Sequence, residues 1–281
     1  MTRQTRKQTT TSSGLAAAAV LLAGGLAFAA GQYGPGASDT EIKLGNTMPY
    51  SGPASAYGAI GKADAAYFAM INDQGGINGR KINFISRDDG YSPPKTVEQT
   101  RKLIEEDQVL LIFGTVGTPP NTAIWDYLND HKVPQLFIAT SAEKWNDSKK
   151  HPWTMAWSPA YQAEARIYGR YILKNLPNAK IAVIFQNDDF GKDYITGLRQ
   201  GLGDKADKLI CAMQSYETTD PTVDSQIAAL QGSGADVLLI AATTKFAAPT
   251  IRGGLRRRLE ADIVPELRVQ FGRSGDAIRG I

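Results

Sequence analysis

The stretch 42-IKLGNTMPYSGPASAYGAIGKADAAYFAMINDQ-74 contains the pattern that decides the fold. Residues 42–48 form a short run with apolar and β-branched side chains, which predicts a strand, and 49-PYSGP-53 supplies the turn residues that follow it. Residues 60–74 predict an amphipathic helix that ends where Gly75 and Gly76 offer the positive φ of a helix C-terminus. This unit therefore consists of one strand, one loop and one covering helix.

The same alternation of strands and helices continues to about residue 248. In the first half we predict strands at 81–87, 109–113 and 134–138, helices at 93–106 and 119–131, and a long loop at 139–152. In the second half we predict helices at 160–175, 191–202, 222–231 and from 245 onward, and strands at 180–185, 208–216 and 235–240. Strands that alternate with helices form parallel sheets flanked by helices, so the predicted fold class is α/β.

The two blocks of strands and helices meet at 157-WSP-159, which predicts two lobes with a cleft between them. Open α/β sheets bind ligands outside the carboxyl ends of their strands, so we expect the loops named above to line the cleft.

The first 29 residues predict an exported protein. Arg3, Arg6 and Lys7 precede an apolar run at 15–28, and the run closes in 27-AFA-29. A charged start, an apolar middle and a small-x-small end are typical of a cleaved secretory signal peptide. Gly24 and Gly25 interrupt the run, which is shorter than the roughly 20 apolar residues of a membrane span. We expect a mature chain from about residue 30; an uncleaved tether is the alternative.

Charge and composition argue against nucleic acid as a partner. The net charge is +3, but residues 250–281 hold seven arginines against four acids, so the rest of the chain is nearly balanced. Cys211 is the only cysteine, and its apolar neighbours predict a buried thiol in a strand. His131 and His151 lack a metal-ligand spacing, so we predict solvated histidines and no metal site.

No enzyme signature is present, so we predict no enzymatic activity and no cofactor. The sequence lacks G-x-S-x-G, a P-loop and H-E-x-x-H, and 114-GTVG-117 lacks the spacing of a dinucleotide-binding loop. A secreted α/β hydrolase is the alternative from another class, and it requires a nucleophile beside one of the two histidines.

The loop at 114–117 suits an anionic ligand. Small residues let backbone N–H groups approach a ligand closely, and the positive end of the following helix favours a carboxylate. Thr118, Thr140 and Ser141 add uncharged hydroxyl donors. The alternative is that these are turn residues whose hydroxyls face water. Tyr57 can either stack on a ligand or cover the first helix, and the acids at 88–89 are more typical of turns and caps.

Six motifs in a fixed order make a resemblance specific. They are 42–58 with its S-G-P-x-x-x-Y-G, 72-NDQGGINGR-80, 88-DDGYSP-93, 114–118, 187-NDDFG-191 and 220–236. Together they resemble the branched-chain amino-acid-type solute-binding proteins of ABC transporters, over almost all of residues 41–248. The resemblance implies a type I periplasmic binding fold whose two lobes close on a small ligand.

The resemblance also implies a location, partners and a set of ligand-binding residues. The protein would act in the periplasm and deliver its solute to the permease subunits of an ABC importer. Ligands of the family are branched-chain amino acids, amides, urea or aromatic acids. The implied ligand-binding residues, together with those singled out above, are Ser51, Tyr57, Gly117, Thr118, Ala139, Thr140, Ser141, Asp188, Phe190 and Thr243.

The sequence changes character after residue 248. Arg256, Arg257 and Arg258 interrupt the expected last helix, and residues 250–281 contain no lysine. We expect a first lobe at 30–158, a partial second lobe at 159–248 and an atypical arginine-rich tail at 249–281. A shifted reading frame or an early end explains this better than a basic partner-binding tail. A non-functional truncated fragment of a binding protein is therefore an alternative.

Overall fold

The computed structural model describes residues 32–260 and 268–271, so the predicted signal peptide and much of the predicted tail lie outside the described residues. All elements given below belong to one compact unit that begins at Gly34.

Five parallel strands form the first sheet, in the order β2-β1-β3-β4-β5. The strands are β1 (Glu41–Met48), β2 (Lys81–Asp88), β3 (Leu111–Phe113), β4 (Gln135–Ile138) and β5 (Thr154–Ala156). The helices that connect them are α1 (Gly58–Asp73), α2 (Pro93–Arg101) and α3 (Thr118–Asp130), and α2 continues as a π-helical turn (Lys102–Glu106). As predicted, Gly75 and Gly76 have positive φ, 106° and 77°, just after α1.

A second parallel sheet has the order β7-β6-β8-β9. Its strands are β6 (Ile181–Gln186), β7 (Ile210–Tyr216), β8 (Val237–Ala241) and β9 (Arg268–Phe271). Its helices are α4 (Tyr161–Asn175), α5 (Asp189–Leu202), α6 (Ala206–Leu209), α7 (Asp224–Gly232) and α8 (Thr244–Glu260). Two parallel sheets, each flanked by helices, confirm the predicted two-lobed α/β fold.

Helices cover the second sheet on both faces, and the strands of this sheet bury side chains on both sides. Along β6, Ile181 and Val183 pack with residues of α4 and α5, whereas Ala182 and Ile184 pack in the cluster that includes α7 and α8. Side chains alternate between the two faces of a strand, so a continuously apolar strand supplies both cores.

Several local predictions were wrong. The Cys211 thiol is exposed, because the outer strand β7 turns alternate side chains to solvent. His151 is only 4% exposed, since its ring stacks on Trp125 at 3.5 Å between centroids. The strand β5 lies directly after the predicted 139–152 loop and was missed. The backbone of α8 continues through residues 256–258 to Glu260, so the three arginines do not interrupt the helix.

Candidate functional site

A cavity of about 280 Å³ lies between the two lobes. From the first lobe it is lined by the start of α1 and by the loops that follow β2, β3 and β4, and from the second lobe by α4, α5 and the end of β8. Its lining residues are Tyr57, Ile60, Tyr91, Val116, Gly117, Thr118, Ala139, Thr140, Ser141, Trp157, Ser158, Tyr161, Phe190, Tyr194, Ile240 and Thr243. The cavity thus lies where the carboxyl ends of parallel strands are expected to bind a ligand.

The floor of the cavity is formed by the start of α3. Gly117 precedes this helix with φ of 95°, and a Cβ there would lie 2.3 Å from Cε2 of Tyr91. Only glycine fits both the backbone and the neighbouring ring. Val116 and Ala139 form a parallel bridge beyond β3 and β4, which brings the two loops side by side. The first lobe therefore presents both loops to the cavity as one surface.

Hydroxyl groups are concentrated on this surface. Thr118 and Thr140 contact each other through their Oγ1 atoms, and Tyr161 Oη donates to Thr140 Oγ1 at 3.3 Å. Ser141 Oγ contacts Ser158 Oγ in the same way. These groups can reorient to donate hydrogen bonds to a carboxylate without a buried charge on the protein.

Aromatic rings form most of the opposite wall. Tyr161 lies 5.0 Å from Phe190 and 5.1 Å from Tyr194, measured between ring centroids, and Phe190 meets Tyr194 edge-on at 5.5 Å. Such tilted and edge-to-face pairs are favourable and hold each ring in place. Trp157 differs, because its side chain is 65% exposed at the rim of the cavity.

The described lining residues include no lysine, arginine, aspartate, glutamate or histidine. Burial raises the pKa of Tyr161 to about 12. Burial also raises the pKa of Tyr91 well above its usual range. These phenols therefore stay protonated at neutral pH and can act as hydrogen-bond donors.

Eight of the ten predicted site residues line the cavity, and Ser51 and Asp188 do not. Ser51 Oγ instead donates to Asp88 Oδ2 at 2.6 Å. Asp188 caps α5, because its Oδ1 accepts from the Gly191 N–H at 3.2 Å and its Oδ2 accepts from Gln186 Nε2 at 2.6 Å. The binding roles of all ten residues stay predictions.

Sequence reasoning missed several lining residues. Tyr91 lies in the loop after β2, where the two neighbouring acids are the more prominent signal, and its φ of 62° turns the chain there. Trp157 and Tyr161 were not among the predicted site residues either. Their position at the junction between the two blocks of strands and helices is the sequence signal that could have placed them at the rim of the cleft. Ile60 and Ile240 carry no signal that separates them from ordinary core residues.

The described histidines do not support the hydrolase alternative, since neither lines the cavity. His151 Nε2 pairs with Asp126 Oδ1 at 2.7 Å, and His131 Nδ1 contacts the carbonyl of Tyr127 at 2.8 Å. Within residues 32–260 and 268–271, no cluster of three potential metal ligands occurs. Over the same residues, no helix has the length and apolar character of a membrane span.

Comparisons with known proteins agree with this geometry. The sequence profile of a family described as periplasmic binding protein matches residues 41–257. The Leu/Ile/Val-binding protein homolog 1 of Brucella abortus is 26% identical over 96% of this chain and 70% of that protein.

Solved structures give the same result. A substrate-binding periplasmic protein from Ralstonia solanacearum superposes with a TM-score of 0.72 at 27% identity, over 82% of this chain and 63% of that one. A possible leucine/isoleucine/valine-binding protein from Rhodopirellula baltica has a TM-score of 0.68 at 22% identity, over 83% of this chain and 62% of that one, and supports the fold alone. The chain thus spans less than two thirds of the length of these two structures.

Proposed function

The chain belongs to the periplasmic binding protein family, and on that premise we propose that it captures a small carboxylate solute between its lobes and delivers it to an ABC permease. The proposed place of action is outside the cytoplasm. The proposal includes no chemical change to the solute. The names of the relatives, Leu/Ile/Val-binding proteins among them, favour an amino-acid-like or other small organic acid.

One observation carries this proposal, namely that both lobes line a single cavity whose described lining residues supply hydroxyl groups and aromatic rings and no charged side chain. A ligand that touches both lobes stabilises only the closed form, so binding shifts the population toward closure. Hydroxyl donors bind a carboxylate with little desolvation cost to the protein. The closed form is then the shape that a permease would recognise.

A thermal-shift screen followed by calorimetric titration tests the proposal. The panel consists of amino acids, aliphatic amides and aromatic acids. We expect at least one carboxylate to raise the melting temperature, because it binds the folded state alone. If no member of the panel changes the melting temperature, solute capture by this chain is contradicted and the alternative of a non-functional fragment gains support.

The variant Thr140→Val tests the hydroxyl groups of the cavity. It removes one donor from the lining, so we expect about tenfold weaker binding of any carboxylate that binds, as for the loss of one hydrogen bond of roughly 1–1.5 kcal/mol. Thr100→Val is the matched control. Thr100 is fully buried in α2, its Oγ1 has no partner among the described residues, and it is not part of the cavity lining. This control should leave affinity unchanged, and equal losses in both variants would contradict the assigned role of Thr140.

A further inference from the structure

We infer that the cavity selects carboxylates that have an aromatic body and no ammonium group, in preference to α-amino acids. This inference rests on the proposed capture of a carboxylate and narrows the class of solute. It follows from the charges and acceptors around the cavity, from its rings and from its size.

An ammonium group would find no opposite charge in the lining. No carboxylate is among the described lining residues. Asp188 lies close in the chain to the lining residue Phe190, but both of its oxygens already accept hydrogen bonds, from the Gly191 N–H and from Gln186 Nε2. Glu164 Oε2 accepts from the Tyr194 hydroxyl at 2.8 Å, and Glu164 is not among the lining residues. Both acids lie outside the described lining, and each already accepts hydrogen bonds from the protein, so neither is placed as a direct partner for a cation in the cavity.

Three backbone carbonyls of lining residues also accept hydrogen bonds from the protein. The Gly117 carbonyl accepts from Asn121 Nδ2 at 2.8 Å, and the Ser141 carbonyl accepts from the Tyr161 N–H at 2.8 Å. The Ala139 carbonyl accepts from the Gly117 N–H at 3.4 Å. Burying a cation without a paired charge is costly, so a zwitterion loses binding free energy that a simple carboxylate keeps.

The rings favour a flat apolar body. Tyr161, Phe190 and Tyr194 form one packed group that leaves the cavity side of the wall aromatic. At the rim, the exposed ring of Trp157 makes no ring contact with another described aromatic residue, although most tryptophan surface is normally buried. A ligand ring that stacks against Trp157 would cover this surface. A volume of about 280 Å³ limits the guest to one ring with a short acid chain.

Matched ligands isolate the effect of the ammonium group. 3-Phenylpropanoate differs from L-phenylalanine, and 4-methylpentanoate from L-leucine, only by the α-ammonium. In calorimetric titrations of the full chain we expect each deaminated acid to bind more than about tenfold more tightly than its amino acid. Comparison with 3-cyclohexylpropanoate tests the ring, and we expect 3-phenylpropanoate to bind more tightly.

Two variants test whether the ligand ring stacks against Trp157. Trp157→Ala should weaken 3-phenylpropanoate by about fivefold or more and reduce its advantage over 3-cyclohexylpropanoate, because the stacking partner is lost. Trp153→Ala is the control, since Trp153 is 38% exposed in the same segment and does not line the cavity. We expect this control to bind like the unaltered protein.

The outcomes separate this inference from the proposed function. If L-leucine or L-phenylalanine binds as tightly as its deaminated partner or more tightly, the inference is overturned while solute capture stands. If none of these ligands binds but an α-amino acid or a non-aromatic carboxylate of the wider panel does, the inference is again overturned alone. If no carboxylate binds, both fail.

Discussion

Asp88, at the end of β2, fixes the loop that follows β1. Its Oδ1 accepts from the Tyr50, Ser51 and Gly90 N–H groups at 2.9–3.0 Å, and its Oδ2 accepts from Lys95 Nζ at 2.8 Å and from Ser51 Oγ. Partial burial raises the pKa of Asp88, but these hydrogen bonds outweigh it and hold the pKa well below its usual range. The ionised carboxylate therefore stabilises the folded state.

The variant Asp88→Asn should lower the free energy of unfolding by about 1–3 kcal/mol at pH 7. Because the pKa is lower in the folded state than in the unfolded state, this stabilisation is present above about pH 4 and is lost as the pH falls further. Urea unfolding from about pH 7 to about pH 2.5 should show the difference between the two proteins shrinking toward acid. Asp204→Asn, at an exposed position, is the control. A difference that stays constant with pH would contradict the role given to the charge.

For single residues, the sequence indicated which side chains can donate or accept hydrogen bonds better than it indicated their partners. Ser51 carries the donor expected of a site residue, but its hydroxyl is taken by Asp88, 37 positions away in the chain. Asp188 lies beside the cavity, yet the cap of α5 uses its carboxylate. Local sequence shows which groups can donate or accept, whereas the tertiary fold decides which partner each one meets.

The packing of α4 on α5 depends on glycines at the contact. A Cβ on Gly197 would lie 2.3 Å from the carbonyl oxygen of Gln162, and one on Gly201 would lie 2.4 Å from that of Arg166. The two helix backbones thus approach too closely for any side chain. The close packing on α4 fixes the position of α5, and α5 contributes Phe190 and Tyr194 to the cavity lining.

We expect Gly197→Ala to lower the free energy of unfolding by about 2 kcal/mol or more, because the clash exceeds the gain in helix propensity. Gly232→Ala provides the control, since Gly232 is the last residue of α7 and, apart from its chain neighbours and the nearby backbone of α7, no described atom lies within 4 Å of the position that a methyl group would take there. It should be neutral or slightly stabilising. Chemical unfolding of both variants decides the matter, and a neutral Gly197→Ala would contradict the close approach of the helices.

At the scale of elements, most strands and helices were predictable because their apolar runs and glycine or proline boundaries are local signals. The strand β5 has three residues, and its pairing with β4 includes a register shift, so local sequence carries little of it. The π-helical turn after α2 falls within a segment whose sequence predicted one continuous helix. The division of the chain at 158 and 248 stays a prediction.

For the whole molecule, polar contacts also join the two lobes outside the cavity. Lys144, which follows β4, pairs with Asp189 of α5 at 2.6 Å, and the Glu143 N–H donates to Asp193 Oδ2 at 2.6 Å. Exposed ion pairs contribute roughly 0–1 kcal/mol each, so these contacts alone hold the two lobes together only weakly. A bound solute that bridges the lobes is then needed to make the closed form dominant.

Closure of the two lobes on a solute is the central claim, and a distance between spin labels tests it most directly. Cys211 is exposed in the second lobe, and Lys62→Cys adds an exposed site on α1 of the first lobe. A second pair, Cys211 with Lys192→Cys on α5, lies within one lobe and serves as the control. With a saturating carboxylate, the distance distribution of the pair between the lobes should narrow to a single short distance. The distribution of the control pair should stay unchanged. An identical distribution between the lobes with and without bound solute would contradict the claim.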